Sequence, residues 1–204
     1  MTSTLLTLGL FAIVIAAVSA FAVSIYNRLI NLDQQCENGF GQIEIQLKRR
    51  YDLIPNLVEA AKSYLQHESE TLERVIAARN QASSSLGDAT KPGAGAAEMQ
   101  QWMGAEGLLS GAMGRLNFVM EDYPELKADE NIAHLMEELT STENRISFAR
   151  QAFNDWCTAF NIYRCSFPNI VLANSLGFAE DRPLLEFEDS AVIQEAPKVE
   201  LVSA

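Results

Sequence analysis

Histidine and cysteine, the side chains most often used for catalysis and metal binding, are scarce in this sequence, which holds two His and three Cys. The residues three positions before His67 and His134 are not carboxylates, so the Glu-x-x-His motifs of di-iron helical bundles are missing. The segment that starts at His67 also lacks the second His of a zinc-protease helix. We therefore predict no metal site and no cofactor.

Nucleophilic catalysis is not indicated either. The sequence has no G-x-S-x-G motif, no Walker loop and no G-x-G-x-x-G motif, and neither His lies in a recognisable triad context. Cys36, Cys157 and Cys165 are widely spaced and form no C-x-x-C motif, which is typical of a reducing compartment. We expect free, mostly packed thiols in a protein that is not an enzyme.

Lys48, Arg49 and Arg50 form a local concentration of positive charge in an acidic chain, which has 15 Lys+Arg against 27 Asp+Glu. In one interpretation they satisfy carbonyls at the C-terminal end of the first soluble helix, and Lys48 pairs with Glu44. In the other they contact an anion or an acidic partner segment. The net charge of −12 argues against nucleic-acid binding, because no basic face is available to neutralise phosphates.

Residues 5–25 carry no charge and are predominantly apolar. As a helix they cover about 31 Å, which matches a bilayer core of about 30 Å. The alternative is a cleaved signal peptide, but residues 1–4 lack the basic side chain that such a signal needs. Arg28 follows the segment directly, which favours an N-terminus outside and the remaining chain in the cytoplasm.

Small residues recur at near-helical steps within this segment. They are Gly9, Ala16, Ala17 and Ala20. Since a single span has no partner helix in its own chain, these residues can pack against a second copy. We predict membrane lipid as one partner and a homo-oligomer as the assembled form.

Four stretches of apolar residues at steps of three and four follow the span. The first should run on from the span to near Tyr51, ahead of Pro55, and the second from Pro55 to about Ala82. Residues 83–95 are rich in Ser, Gly and Pro and predict a flexible connection. The third helix should extend from about Ala96 to Asp122.

The fourth stretch has the most regular pattern, with steps of three and four along its predicted core face. It comprises Ile132, Leu135, Leu139, Thr142, Ile146, Ala149, Phe153, Trp156, Phe160, Tyr163 and Phe167, up to a stop at Pro168. In the third stretch, Gly104, Gly107 and Gly111 recur at three- and four-residue steps. They indicate either a close approach by a neighbouring helix or a loosely packed helix.

These patterns predict an all-α fold, in which an N-terminal transmembrane helix continues into an antiparallel four-helix bundle. We divide the chain into a membrane anchor (1–26), the bundle (27–166) and an acidic C-terminal extension (167–204). In the extension, Phe178, Leu184, Leu185 and Phe187 are apolar enough to dock, and disorder is expected from about Ser190.

Long strings in this sequence closely resemble the LemA family of bacterial membrane-anchored proteins. They include QLKRRYDLIPNLVE from Gln46, TENRISFAR from Thr142 and SFPNIVLANSLGF from Ser166. The resemblance implies an N-terminal anchor, a four-helix bundle and a cytoplasmic soluble part, with no established catalytic residues. Relatives are linked to membrane stress, membrane proteases and magnetosome membranes.

The sequence therefore predicts a non-catalytic scaffold or adaptor that self-associates at the cytoplasmic membrane, in envelope stress or membrane organisation. The alternative is a regulatory or sensor subunit of a membrane protease or transporter, with that membrane protein as its partner. A stoichiometric second protein in a purified sample would favour the alternative.

Overall fold

The structure is a computed structural model that describes residues 2–91 and 95–185 of the 204-residue chain, and the described residues hold helices and no strand. The helices are α1 (Thr2–Ala61), α2 (Ser69–Ala89), α3 (Ala96–Met120), α4 (Pro124–Lys127), α5 (Glu130–Cys165) and α6 (Asn169–Ala173), with a 3-10 turn at Gln66–Glu68. The predicted all-α class, with a long N-terminal helix that runs on into the bundle, is confirmed.

The described residues divide into two compact units. Unit 1 comprises those of 1–43 and 148–184, so it holds the N-terminal part of α1, the C-terminal part of α5, and α6. Unit 2 comprises those of 44–147 together with Leu185, and within it α2 packs along α3. The predicted domain boundaries at residues 26 and 166 were drawn from where the apolar span and the regular helical pattern end, and not from packing. The predicted division stays a prediction.

The first helix does not end before Pro55, as the sequence predicted, but continues to Ala61. A proline inside a helix leaves the carbonyl four residues earlier without its N–H partner, and here that carbonyl belongs to Tyr51. The Nε of Arg79, in α2, donates to the Tyr51 carbonyl oxygen at 2.8 Å. The helix persists because a side chain from a neighbouring helix replaces the missing backbone donor.

The predicted connection over 83–95 is also wrong in its first half, because α2 begins at Ser69 and extends to Ala89. Its buried positions Val75, Ala82, Leu86 and Ala89 continue one face at helical steps. Burial of Leu86 and Ala89 against the rest of unit 2 outweighs the low helix propensity of the serines and Gly87.

The third helix follows its prediction closely, and a side-chain contact explains where it starts. The Glu98 carboxylate accepts from the backbone N–H of Gly95 at 2.8 Å, which satisfies a donor at the helix start. A Cβ built at Gly104, Gly107 or Gly111 would meet nothing within 4 Å. Close approach by a neighbouring helix is therefore wrong for the part of the chain that the structure describes.

The long fifth helix buries Ile132, Ile146, Phe153 and Phe160 as predicted, but not the whole predicted face. Trp156 is 40% exposed, whereas Cys157 is fully buried; Phe167, which is 85% exposed, lies after α5 has ended at Cys165. The predicted core positions repeat every 3.5 residues on average, whereas a straight α-helix has 3.6 residues per turn. The predicted face therefore rotates slowly around the helix axis, and over ten turns it leaves the side that is buried. At the other end, Asp129 accepts from the backbone N–H of Asn131 and Ile132 and so caps the helix start.

The N-terminal part of α1 is long and apolar enough to cross a membrane. Its large side chains, including Leu6, Phe11 and Phe21, are exposed, and the continuous buried face of α1 begins only at Ile25. Within unit 1 the first part of the C-terminal extension packs on α1 and α5 through Phe178, whose ring lies 6.2 Å from that of Tyr26 and 6.0 Å from that of Phe160. The predicted docking of Phe187 and the disorder from Ser190 lie outside the described residues.

Candidate functional site

Four polar side chains from three helices meet in the interior of unit 2, and we call them the buried cluster. They are Arg50 and Tyr51 of α1, Glu106 of α3 and Glu143 of α5. Arg50, Tyr51 and Glu106 are buried, and the side chain of Glu143 is about half exposed. The helical path of α1 places Arg50 and Tyr51 side by side, so one turn supplies both a cation and a hydroxyl.

The Arg50 guanidinium holds the two acids of the buried cluster. Its Nη1 lies 2.8 Å from Oε2 of Glu143 and 3.4 Å from Oε2 of Glu106. The Tyr51 hydroxyl donates to the other carboxylate oxygen of Glu106, Oε1. Buried charges are stable only when they are paired and hydrogen-bonded, and this arrangement meets both conditions.

Tyr51 acts in the cluster as a hydrogen-bond donor rather than as an acid. Burial of the phenol, followed by the negative charge of Glu106, raises the pKa of Tyr51 far above its ordinary value. The hydroxyl therefore keeps its proton at neutral pH. The cluster joins α1, α3 and α5 through hydrogen bonds and ion pairs, and it places no activated nucleophile beside a base.

The structure separates the three residues of the predicted basic cluster. Lys48 pairs with Glu44 at 2.5 Å, as predicted, and Arg49 lies 3.4 Å from Glu138. Arg50 points inward. The helix-end interpretation is wrong, because α1 does not end near residue 50 but continues to Ala61. A contact of Lys48, Arg49 and Arg50 with an anion or partner stays a prediction, with the exposed side chains of Lys48 and Arg49 as its accessible part.

The thiols are free, as expected from the sequence. Cys36 and Cys157 are buried in unit 1, where they hydrogen-bond to each other across α1 and α5. Burial raises the pKa of both thiols, which keeps them protonated and weakly nucleophilic. Cys165, at the end of α5, is exposed.

Both histidines are exposed, His67 in the 3-10 turn and His134 in α5. Among residues 2–91 and 95–185, no group of three or more His, Cys, Asp or Glu is placed to hold a metal ion. The small residues proposed for membrane self-association, Gly9, Ala16, Ala17 and Ala20, are exposed on α1. Their contact with a second copy stays a prediction.

Sequence reasoning missed Glu106 and the buried Trp102, which lies one turn before it in α3. Glu106 lies four residues after Trp102 and three before Leu109, both fully buried, so it occupies the core face of α3. A carboxylate at a core position of an amphipathic helix signals a buried partner. Nothing in the sequence pattern of α3 tells that the partners are Arg50 and Tyr51, which lie more than 50 residues away.

Comparison with known proteins gives one family. The model of the LemA family matches residues 39–201. The chain is similar to magnetosome protein MamQ 2 of Paramagnetospirillum magneticum, with 27% identity over 192 residues, 83% of this chain and 69% of the relative. It is similar to MamQ of Magnetospirillum gryphiswaldense, with 25% identity over 191 residues and the same shares. Protein LemA of Metamycoplasma hominis is 26% identical over 157 residues, 77% of this chain and 64% of the relative.

Proposed function

Since the chain belongs to the LemA family, we propose that it is a non-catalytic scaffold or adaptor that is held in the cytoplasmic membrane by residues 5–25 and self-associates there. Family membership and the names of its relatives fit a membrane-associated protein. The observation that carries the proposal is the contrast along α1. Large apolar side chains stay exposed from Leu6 to Val23, and the same helix then continues into a packed bundle.

The exposed segment needs a non-aqueous environment. An unbroken run of exposed Leu, Phe, Ile and Val side chains on a helix of this length is unfavourable in water and is typical of a membrane span. The charges around the span favour an N-terminus outside and a bundle in the cytoplasm. In magnetosome bacteria, relatives named MamQ are magnetosome proteins, which supports a role in membrane organisation; envelope stress is a second setting for the same scaffold.

Self-association would occur in the membrane. With one candidate span among the residues that the structure describes, Gly9, Ala16, Ala17 and Ala20 can pack against a second subunit, and small residues allow helix backbones to approach closely. The net charge of −12 opposes contact between soluble parts at low salt, so the assembly should tighten as salt screens it.

Light scattering of the full chain in mild detergent tests this assembly. An oligomer is expected, and it should weaken when Gly9, Ala16 and Ala20 are each replaced by Leu. Replacing the exposed Val14 by Leu is the matched control, because it adds bulk without removing a small residue. A monomer at both low and high salt would overturn self-association, and a stoichiometric second protein in the purified sample would favour the regulatory subunit instead.

The native Cys165 tests the orientation, since it is exposed while the other two thiols are buried. In intact cells a membrane-impermeant thiol reagent should leave Cys165 unlabelled and should label it after permeabilisation. A Thr4→Cys variant that also carries Cys165→Ser should show the reverse accessibility and be labelled in intact cells. Labelling of Cys165 in intact cells would contradict the proposed orientation.

A further inference from the structure

An uncharged, apolar surface lies where α5 ends and the chain turns into α6. The sequence carries no charged side chain from Ser166 to Ala179. Within this stretch Phe167 is 85% exposed and Val171 is 66% exposed, and Ile170 and Leu176 are also exposed. We call residues 166–176 the α5–α6 turn. Large side chains of this kind on a surface point to a binding partner that is itself apolar.

The pairing of α1 with α5 in unit 1 shows which residues of α1 lie beside this turn. Cys36 hydrogen-bonds to Cys157, and the ring of Phe40 packs against that of Phe153 at 5.9 Å. Each step of four residues along α1 thus matches four residues back along α5. Continued to Cys165, the last residue of α5, the same register reaches residue 28 of α1.

A second contact, separate from the α1–α5 pairing, also shows which residues of α1 lie beside the turn. The ring of Phe178, which follows the α5–α6 turn, lies 6.2 Å from the ring of Tyr26. On α1 the buried face begins at Ile25, which is 2% exposed, while Phe21 and Val23 are more than half exposed. The α5–α6 turn therefore lies within about three residues of the end of the exposed segment, or about 5 Å at 1.5 Å per residue.

This distance falls within the headgroup layer of a bilayer. The hydrocarbon core is about 30 Å thick and the whole bilayer about 40–45 Å, which leaves roughly 5–8 Å of polar layer on each side. Apolar side chains on a short amphipathic element at that depth reach the boundary between headgroups and acyl chains.

We propose that the α5–α6 turn is a second membrane-contact site, at which Phe167 and Val171 insert into the lipid interface beside the point where α1 leaves the bilayer. The inference rests on the proposed function, because it needs residues 5–25 to be in the membrane. Two contact points, rather than one flexible anchor, then fix the tilt of unit 1 against the lipid surface.

The charges next to the turn in sequence favour an apolar contact over an electrostatic one, and Arg28 of α1 is an exposed cation at the same level. Arg164, the last basic side chain before the turn, is buried and paired with Asp181. Glu180 and Asp181 are exposed on the far side of the turn and would repel anionic headgroups. Insertion should therefore occur in neutral phosphatidylcholine and should not depend on salt.

Depth-dependent quenching in phosphatidylcholine vesicles tests the proposal on the full chain. Three exposed phenylalanines are replaced singly by Cys and labelled with an environment-sensitive fluorophore, in a background that carries Cys165→Ser. They are Phe21 in the span, Phe167 in the turn and Phe148, which is 72% exposed but lies 17 residues before the end of α5. The vesicles carry a nitroxide near the top of the acyl chains, and circular dichroism confirms that each variant is folded.

Fluorescence should fall by about half or more at positions 21 and 167 and stay nearly unchanged at 148. A Val171→Asp substitution in the chain labelled at 167 should reduce that quenching about two-fold. Quenching at 21 without quenching at 167 overturns this inference and leaves the anchor intact. Equal quenching at 148 and 167 overturns it as well, because α5 would then lie along the membrane, and no quenching at 21 overturns the anchor and the inference together.

Discussion

In unit 1, α1 and α5 meet through aromatic rings and thiols, whereas in unit 2 the same two helices are joined by an ion pair between the buried Arg50 and the half-exposed Glu143. Phe40, Phe153, Cys36 and Cys157 fill the contact in unit 1. In unit 2 the contact is made by the buried cluster, in which Arg50 bridges acids from α3 and α5. The same pair of helices therefore packs through apolar contacts in unit 1 and through charged and hydrogen-bonded contacts in unit 2.

The difference follows from how many helices surround the contact. In unit 2, α2 and α3 close the interior, and α3 supplies the carboxylate that a buried guanidinium needs. In unit 1 the C-terminal extension provides the remaining cover and supplies charged partners: Arg182 pairs with Asp33, and Asp181 pairs with the buried Arg164. A charge can be buried only where several elements together satisfy it.

The largest expected loss of stability comes from removing the buried cation of unit 2. Arg50→Ala should lower the free energy of unfolding by about 4 kcal/mol, because it leaves Glu106 buried without its cation. Lys48→Ala, two residues away and exposed, should cost less than about 0.5 kcal/mol. Denaturant unfolding followed by circular dichroism measures both, and equal losses would show that the buried cluster does not stabilise unit 2.

In unit 1 the counterpart of Arg50→Ala is the removal of a buried aromatic side chain. Phe153→Ala should cost about 3 kcal/mol, because it removes a buried ring that packs on Phe40 and leaves a cavity. Phe148→Ala removes the same side chain from an exposed position of α5 and should cost less than about 0.5 kcal/mol. If Phe148→Ala proved the more costly in thermal unfolding, the buried face of α5 would be assigned wrongly.

A smaller effect tests how α1 passes Pro55 in unit 2. Arg79→Met should cost about 2 kcal/mol, because the Tyr51 carbonyl loses a charged donor. In a Pro55→Ala background the backbone N–H of residue 55 can take over that carbonyl, so the same substitution should cost less than about 1 kcal/mol. Equal costs in the two backgrounds, measured as a double-mutant cycle, would argue against this role of Arg79.

The smallest effect concerns two glycines of α1 in unit 1. Gly41→Ala should stabilise by about 0.5–1 kcal/mol, because a Cβ there meets nothing within 4 Å and Ala is the better helix former. Gly39→Ala should lose that gain, since its Cβ would lie 3.2 Å from the backbone Cα of Phe153. Melting temperatures of the two variants, compared with the native chain, give the difference; a larger gain from Gly39→Ala would contradict the close packing.

Apolar periodicity was enough to predict most of the fold. The uncharged run over 5–25 and the regular steps along α5 are local patterns, and each corresponds to a helix in the structure. The start of α3 at Ala96 was also predicted, because the sequence just before it is rich in Gly and Pro. Boundaries failed where a distant residue intervened, as at Pro55, where Arg79 donates to the Tyr51 carbonyl that the proline leaves without a backbone partner.

The sequence by itself determined which segments are helical, which segment suits a membrane and which side of α1 and α5 is apolar, because those properties depend on neighbours a few residues apart. Only the tertiary structure decided that Arg50 is buried while Lys48 and Arg49 are exposed, and that Cys157 rather than Trp156 enters the core. It also brought Glu106 to Tyr51, across 55 residues of chain. The physical reason is that pairing of buried charges and the drift of a long helix depend on partners that local periodicity does not identify.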